Sequence, residues 1–370
     1  MQILITGAYG FLGKNLSLML QEKGYNNLIK IDRETSQNDI KEGLFNADFV
    51  FHLAGTNRAE DENDFHIGNV EFTEHITNVL KSKKTPTDLM FSSSSQAVRD
   101  NAYGISKLRA ESIIQEYGKT THSNVFIYRF TNIFGKWSKP NYNSFVATFC
   151  NNIANDLDID IHDKDARVKL IYIDDVCKSL ISLLENNDFS SGFLNISPEY
   201  DTSVGEVAAL LKKFRNSRDS LMIEKVGTGF ERALYSTYLS YLSPKKFTYS
   251  IPAHNDIRGS FSEMLKTKDS GQISYFTAHP GITRGGHYHH SKNEKFLVLS
   301  SRALFRFKNI ISGETYELES NPENPKIVET IPGWSHDITN IGKEKMIVLL
   351  WANEIFDEEY PDTYPSPLSE

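Results

Sequence analysis

Residues 284–296 read RGGHYHHSKNEKF and place His287, His289, His290 and Glu294 within eight positions. On an extended strand, residues two apart share a face, so His287 and His289 point one way and His290 the other. His336, in IPGWSHDITN, belongs to what should be a distant strand brought alongside by barrel closure. Three imidazoles and one carboxylate form a donor set for a divalent transition metal and leave coordination positions open. We expect His287, His289, Glu294 and His336 as ligands and zinc as the occupant, with iron, manganese and nickel as alternatives. A chance surface cluster of histidines is the competing reading.

A second group of chemical residues lies far upstream. TGAYGFLG supplies Gly7, Gly10 and Gly13 directly after ILIT, at the opening of a helical pattern. Glycines there permit a tight turn and close approach of the backbone to a pyrophosphate, whose charge meets the unpaired N–H groups of a helix N-terminus. Asp32-Arg33 ends the second apolar run. An acidic residue at that place takes the ribose hydroxyls of NAD, whereas an arginine pairs with the 2′-phosphate of NADP. We expect NADP(H), with NAD as the alternative.

In YGISK, Tyr103 and Lys107 stand four apart and so share one helix face. A neighbouring ammonium lowers a phenol pKa from about 10, which lets the tyrosine exchange a proton with a sugar hydroxyl or ketone. FSSSSQ ends a strand upstream, and Ser94 is the hydroxyl expected to bind the same oxygen. The alternative is an exposed helix pair without chemistry.

These residues need a scaffold. At 370 residues the chain exceeds the usual size of one compact domain, so two domains are expected. With 39% apolar and 24% charged residues and a net charge of −8, it falls in the soluble globular class, and nothing points to nucleic acid. Cys150 and Cys177 sit in apolar helical patterns, not at disulfide or zinc-ribbon spacings, which fits a reducing compartment. MQILITGAYGFLG has no basic leader, and no stretch approaches the roughly 18 apolar residues of a membrane span. A cytoplasmic protein without membrane contact is therefore expected.

From residue 1 to about 240, short apolar runs alternate with helical periodicity, the βαβ order of a doubly wound parallel sheet. Gly24 and Gly118 stand where helix C-caps are expected. After YSTYLSYLSPKKF the texture changes to short alternating strands such as EKFLVLSS, ALFRFKNI and EKMIVLLW, an antiparallel pattern that suggests a barrel or jelly roll. A boundary near Pro244 gives domains 1–243 and 244–370. PDTYPSPLSE reads as a terminal tail.

In this order the motifs resemble the extended short-chain dehydrogenase/reductase family over residues 1 to 240. They are the glycine turn, Asp48, His52-Leu53-Ala54-Gly55, Asn69, Ser94, Tyr103 with Lys107, Arg129-x-x-Asn132-x-x-Gly135 and Tyr172-Ile173-Asp174-Asp175-Val176. The resemblance implies a Rossmann-like domain with Ser94, Tyr103 and Lys107 as catalytic residues. It also implies cofactor contacts from Gly7, Gly10, Phe11, Leu12, Gly13, Asp32, Arg33, Leu53, Ala54, Gly55, Tyr103 and Lys107, with Asn132 near a nucleotide-sugar diphosphate. Where the dehydratases of the family carry Asp-Glu after the catalytic hydroxyl, this chain has Ser95-Gln96, which favours reduction or epimerisation.

Gly281-x5-His287-x-His289-x4-Glu294 and Gly333-x2-His336-x3-Asn340 resemble the two halves of the cupin motif, except that Ser301 replaces the glycine that ends the first half. DIRGSF and TRGGH also resemble the metal-free sugar 3,5-epimerases, where the histidine after Arg-Gly is a base. A metal-bound His287 has no lone pair for a proton, so the full ligand set assigns it to the metal and leaves the base unidentified. Arg258 is expected to hold the substrate diphosphate or carbonyl, with a structural pair to Asp256 as its other role.

Over all 370 residues the chain closely resembles the CapF-type family of capsular-polysaccharide enzymes, with FGKWSKPNYNS, LYSTYLSYL and NEKFLV as further support. That resemblance implies a homodimeric, bifunctional enzyme. Its cupin domain would invert C-3 of a UDP-linked 4-keto-6-deoxy-N-acetylhexosamine. Its reductase domain would then reduce the C-4 ketone to UDP-2-acetamido-2,6-dideoxy-L-talose, on the path to UDP-N-acetyl-L-fucosamine. The alternatives are a nucleotide-sugar reductase or epimerase whose cupin only binds or dimerises, and a non-enzymatic sensor of nucleotide sugar or redox state.

Overall fold

The computed structural model describes residues 1–185, 189–359 and 361–368. The chain divides into two compact units, Met1–Leu211 with Ala233–Leu242, and Lys212–Arg232 with Ser243–Glu370.

The first unit is built on six parallel strands in the order Leu28–Ile31, Ile3–Thr6, Phe49–His52, Asp88–Ser94, Val125–Phe130 and Gly192–Leu194. Strands covered on both faces read as unbroken apolar runs. ILIT and FVFH are accordingly buried at every residue. Leu4, Val50, Leu89 and Phe91 of the sheet pack with Ile76, Leu80, Ile114 and Tyr117 from the helices. Strand order reverses at Ile3–Thr6, which is flanked by the second and third strands. A crevice opens beyond the C-terminal ends of strands at such a reversal, and the glycine turn lies there.

Two helices position the chemistry. Phe11–Glu22 starts at Gly10, and Gly24, at φ 90, follows its end as a left-handed residue, as the sequence suggests. Ala102–Thr121 is capped by the Asn101 side chain, which accepts from Gly104 N–H, so Tyr103 falls in the first turn and Lys107 one turn on. Gly118 is not a cap. The helix runs past it to Thr121 and ends on His122 at φ 57. Gly118 instead makes room for a neighbour, since a Cβ there would lie 3.0 Å from both methyls of Val125.

The second unit packs two largely antiparallel sheets face to face. One orders Met222–Ile223, Gly259–Thr267, Gly271–Ala278, Met346–Ala352, Glu294–Ser300 and Val328–Glu329, with His254–Asp256 beside Gly259–Thr267. The other orders Thr315–Ser320, Ala303–Asn309, Trp334–Asn340, Thr283–Tyr288 and Tyr364–Pro365. Period-two alternation turns Phe276, Phe296, Val298 and Val348 of the first inward against Phe305, Phe307 and Ile338 of the second. This is a cupin-like β domain.

Two details depart from simple sequence patterning. Ser301, which stands where the cupin motif has glycine, takes φ 69, and its hydroxyl donates to Asn340 Oδ1 at 2.9 Å, so the turn is kept by a serine. The C-terminal residues, expected as a tail, form a strand: Tyr364–Pro365 pairs with Thr283–Tyr288. Among the described residues, no helix is long and apolar enough to cross a membrane.

Candidate active sites

A cleft of about 1010 Å³ in the first unit is lined by the glycine turn, Asp32, Arg33, Leu53–Gly55, Ser92–Ser94, Tyr103 and Asn132. The turn is closely packed. Gly7 has φ 66, and a Cβ on Gly13 would come within 2.2 Å of Gly7 O and 2.7 Å of Ala8 Cα. The backbone alone therefore lines this part of the cleft, which is the cradle a pyrophosphate requires. Asp32 Oδ1 accepts from Thr35 Oγ1 at 2.9 Å and from Glu34 N–H at 3.0 Å, and these bonds lower its pKa. Arg33 is exposed and makes no ion pair among the described residues.

Behind the cleft floor, His52 is fully buried between two threonines. Thr6 Oγ1 accepts from the Leu53 and Ala54 N–H groups, so its own proton goes to His52 Nδ1 at 2.8 Å. His52 Nε2–H then donates to Thr73 Oγ1 at 2.9 Å, and Thr73 donates to Asn69 O. Burial, with the Lys107 charge nearby, lowers the His52 pKa to about 3, so the ring is a neutral spacer that fixes the Leu53–Gly55 backbone. Asn69 lies on a π-helical turn, His66–Glu71, and grips Thr56 through both its N–H and its carbonyl. π-bulges of this sort concentrate at functional sites.

Ser94 closes the Asp88–Ser94 strand, and its hydroxyl lies near the Tyr103 phenol on the same cleft. Its hydroxyl also accepts from Gln96 N–H at 3.1 Å. The two hydroxyls converge, the arrangement needed to grip one carbonyl oxygen. Lys107, 5% exposed, donates to Ser92 O at 2.9 Å and sits 5.0 Å from the Phe91 ring centre. Here the structure corrects an expectation. Tyr103 is not acidified: burial raises its pKa, and the neighbouring Ser94 hydroxyl only opposes this. Burial likewise depresses Lys107 to about 8, with Glu111 pulling the other way. Glu111 was not singled out by sequence. It is buried, accepts from Arg129 at 2.8 and 2.6 Å and from Ser93 Oγ at 2.5 Å, and so anchors the strand end that carries Ser94. Asn132 lines the cleft and donates to Lys169 O at 3.1 Å.

In the second unit the four expected ligands converge: one donor atom from each of His287, His289, Glu294 and His336 lies within 4.8 Å of the others. Antiparallel register sets His287 directly opposite His336. Glu294 opens a strand of the other sheet, pinned by Thr330 Oγ1 at 2.8 Å from its N–H. Burial pushes the His287 pKa down to about 4, the His336 charge adding to it. Burial alone would raise the Glu294 pKa; the His289 and His336 imidazoles beside it hold its carboxyl well below the usual range.

The protonation pattern tests whether a cation fits. His289 Nδ1 lies 2.5 Å from Asp362 O. A carbonyl only accepts, so Nδ1 bears the proton and a neutral His289 turns a bare Nε2 toward Glu294 Oε2, 3.3 Å away. Two acceptors facing one another in a buried site repel unless a positive charge stands between them. His336 Nε2 is also 3.3 Å from Glu294 Oε2, and its Nδ1 has no hydrogen-bond partner among the described residues. Metal–nitrogen bonds of about 2.1 Å limit two ligands of one ion to about 4.2 Å apart. The set therefore fits a divalent cation after a contraction of a few tenths of an ångström. Asp362, in the supposed tail, is the residue that sequence reasoning missed, and nothing in PDTYPSPLSE signals it.

Arg258 is half exposed and meets Asp256. Its guanidinium pairs with Asp256 at 2.5 and 3.0 Å, which lowers the Asp256 pKa to about 2.

Comparison with known proteins covers both units. Residues 3–197 match the NAD dependent epimerase/dehydratase family, and residues 254–364 match the polysaccharide biosynthesis C-terminal domain. The chain is 50% identical, over the whole of both chains, to UDP-2-acetamido-2,6-beta-L-arabino-hexul-4-ose reductase of Pseudomonas aeruginosa. The crystal structure of capsular polysaccharide assembling protein CapF from Staphylococcus aureus matches the whole of both chains with a TM-score of 0.93 at 40% identity. CapF with the inhibitor 3-isopropenyl-tropolone matches, again over both chains in full, with a TM-score of 0.88 at 36% identity. The chain thus belongs to the NAD dependent epimerase/dehydratase family, in the CapF type that continues into a polysaccharide biosynthesis C-terminal domain.

Proposed function

We propose that the protein is a bifunctional nucleotide-sugar enzyme acting on a UDP-linked 4-keto-6-deoxy-N-acetylhexosamine. The second unit inverts C-3, and the first reduces the C-4 ketone with NADPH to UDP-2-acetamido-2,6-dideoxy-L-talose. The observation that carries this reading is that one chain gathers two chemically different groups, Ser94 and Tyr103 on a cleft with Lys107 beside Gly55, and His287, His289, Glu294 and His336 in a β domain.

A nicotinamide bound in the cleft would supply hydride to C-4. Ser94 polarises the ketone and Tyr103 delivers the proton to its oxygen, a form of acid catalysis worth roughly 10²- to 10⁴-fold. The neutral, protonated phenol is already the form that a reduction needs. Lys107, held by Ser92 O, would present its charge to the ribose of a bound cofactor. Arg33, exposed beside an Asp32 whose Oδ1 is engaged, favours the 2′-phosphate of NADP(H) over the bare ribose of NAD.

A hydrogen beside a ketone is acidic because the resulting carbanion delocalises onto oxygen. A divalent cation, zinc in our reading, would supply Lewis acidity to the C-3 hydroxyl and C-4 oxygens, worth several kcal/mol. Two supports come from the relatives. The Pseudomonas aeruginosa relative is named for reduction of a hexul-4-ose, and the inhibitor of CapF is a tropolone, a planar ring with the same vicinal pair of oxygens.

The test follows the reaction by NMR in heavy water, with and without NADPH. Tyr103→Phe is expected to abolish NADPH oxidation and leave deuterium uptake at C-3 intact. His289→Ala is expected to abolish the uptake and leave NADPH binding intact. Loss of C-3 exchange in Tyr103→Phe would refute the division of labour.

A further inference from the structure

We infer that the C-terminal segment 361–366 is a brace for the metal centre, with Asp362 as the positioning residue that fixes the tautomer and aim of His289. This role rests on the metal reading above and extends it to a part of the chain outside the ligand set.

The segment reaches two of the four ligands and the sequence neighbour of a third. Pro365 pairs with His287 across the short strand Tyr364–Pro365. Asp362 O accepts the His289 Nδ1 proton at 2.5 Å. The hydroxyl of Ser335, next to His336 in sequence, donates to Ser366 O, and Ser366 N–H donates to Gly286 O at 2.8 Å. Thus the residues before, at and beside the ligands are tied to one short stretch of chain.

The Asp362 side chain does something separate from its carbonyl. Its carboxylate accepts the N–H groups of His290, Ser291 and Lys292 at 2.8, 2.7 and 2.8 Å, and the Ser291 hydroxyl at 3.0 Å. These residues form the turn from His289 to Glu294, so one carboxylate sets the path between two ligands. With its side chain anchored in that turn, the Asp362 carbonyl is held against the imidazole. The imidazole must then carry its proton on Nδ1 and present Nε2 as a lone pair. Outer partners of ligating histidines act in this way, fixing the tautomer and raising basicity.

A two-residue strand is too short to hold itself in place. Its order depends on the contacts just named, and several of them bear on groups that a cation also orders. Cation binding and brace docking are therefore coupled, and the coupling is reciprocal. Loss of the brace weakens the cation, and loss of the cation loosens the brace.

The experiment uses the full chain, Asp362→Ala, and a chain ending at Glu359. Each is stripped of metal and titrated with zinc against a chromophoric chelator, with NADPH binding as the check that the first unit is folded. Zinc affinity is expected to fall about 10- to 100-fold in both variants. A brace that only adds stability would lower the melting temperature of stripped and loaded protein alike and leave zinc affinity unchanged; that result overturns the inference. The positioning role predicts instead that the rise in melting temperature on loading shrinks, and that the cobalt(II)-substituted Asp362→Ala shows a shifted visible spectrum.

Should either variant fail to fold, hydrogen exchange on the unaltered protein decides. Protection of the His290–Lys292 and Ser366 amides should rise when zinc is added, and unchanged protection overturns the coupling. A native chain that takes up no zinc refutes the metal reading itself, whereas equal affinity in all three chains refutes only the brace.

Discussion

Lys107 shows how function and stability pull on a single residue. The residue is 5% exposed, its ammonium has one carbonyl at 2.9 Å, and burial brings its pKa from 10.5 to about 8. Below pH 8 the folded chain holds a desolvated charge that the unfolded chain solvates freely. Between pH 8 and 10.5 the folded state has released this proton and the unfolded state has not, so stability rises with pH across that window. Lys107→Met, which fills the space without a charge, is expected to abolish ketone reduction and stabilise the fold by roughly 1–3 kcal/mol at pH 7. Denaturant melts at pH 7, 8.5 and 10 check the sign: the advantage of the variant should shrink as pH rises. The YGISK spacing announces the Tyr103–Lys107 pair, since i and i+4 share a face on any helix. It does not announce the direction of the Tyr103 shift, which depends on burial.

At the scale of elements, the glycine turn is the most legible part of the chain. Its requirement is local: Gly13 must lack a Cβ because the turn folds back to within 2.2 Å of where that atom would stand. The clash is with backbone, so it cannot be relieved by a side-chain rotation. Gly13→Ala is therefore expected to destabilise the first unit by about 1–3 kcal/mol and to weaken NADPH binding at least tenfold, measured by thermal melting and by fluorescence titration. Gly118 is the instructive contrast. It resembles Gly24 as a residue ending an apolar helical pattern, yet it lies inside a helix and serves the packing of Val125. A glycine that permits φ > 0 and one that permits close packing look alike until the neighbouring strand is in place. Ser301 shows the converse, a left-handed turn held without glycine because Asn340 receives its hydroxyl.

On the scale of the whole molecule, each unit carries its own core and its own centre, so removing one ligand should affect one activity. Chelation of the purified protein is expected to lower the melting temperature of the second unit and to stop deuterium uptake at C-3, while NADPH binding persists. Calorimetry and NMR on the same sample distinguish this from a purely structural metal, whose removal would lower the melting temperature without changing the stereochemistry of the product. The sequence by itself determined the two-unit order, the parallel and antiparallel textures, and which candidate residues share a turn or a face, because each is written in short-range spacing: glycines around one turn, residues four apart on a helix, histidines two apart on a strand. Only the tertiary structure decided how those groups are held. Strand register sets His287 opposite His336, Glu111 reaches under Ser93, and Asp362 spans 72 positions to cap His290. A hydrogen bond is directional and acts within about 3 Å, so an aspartate in a polar C-terminal stretch carries no mark of its role until the backbone brings it to its donors.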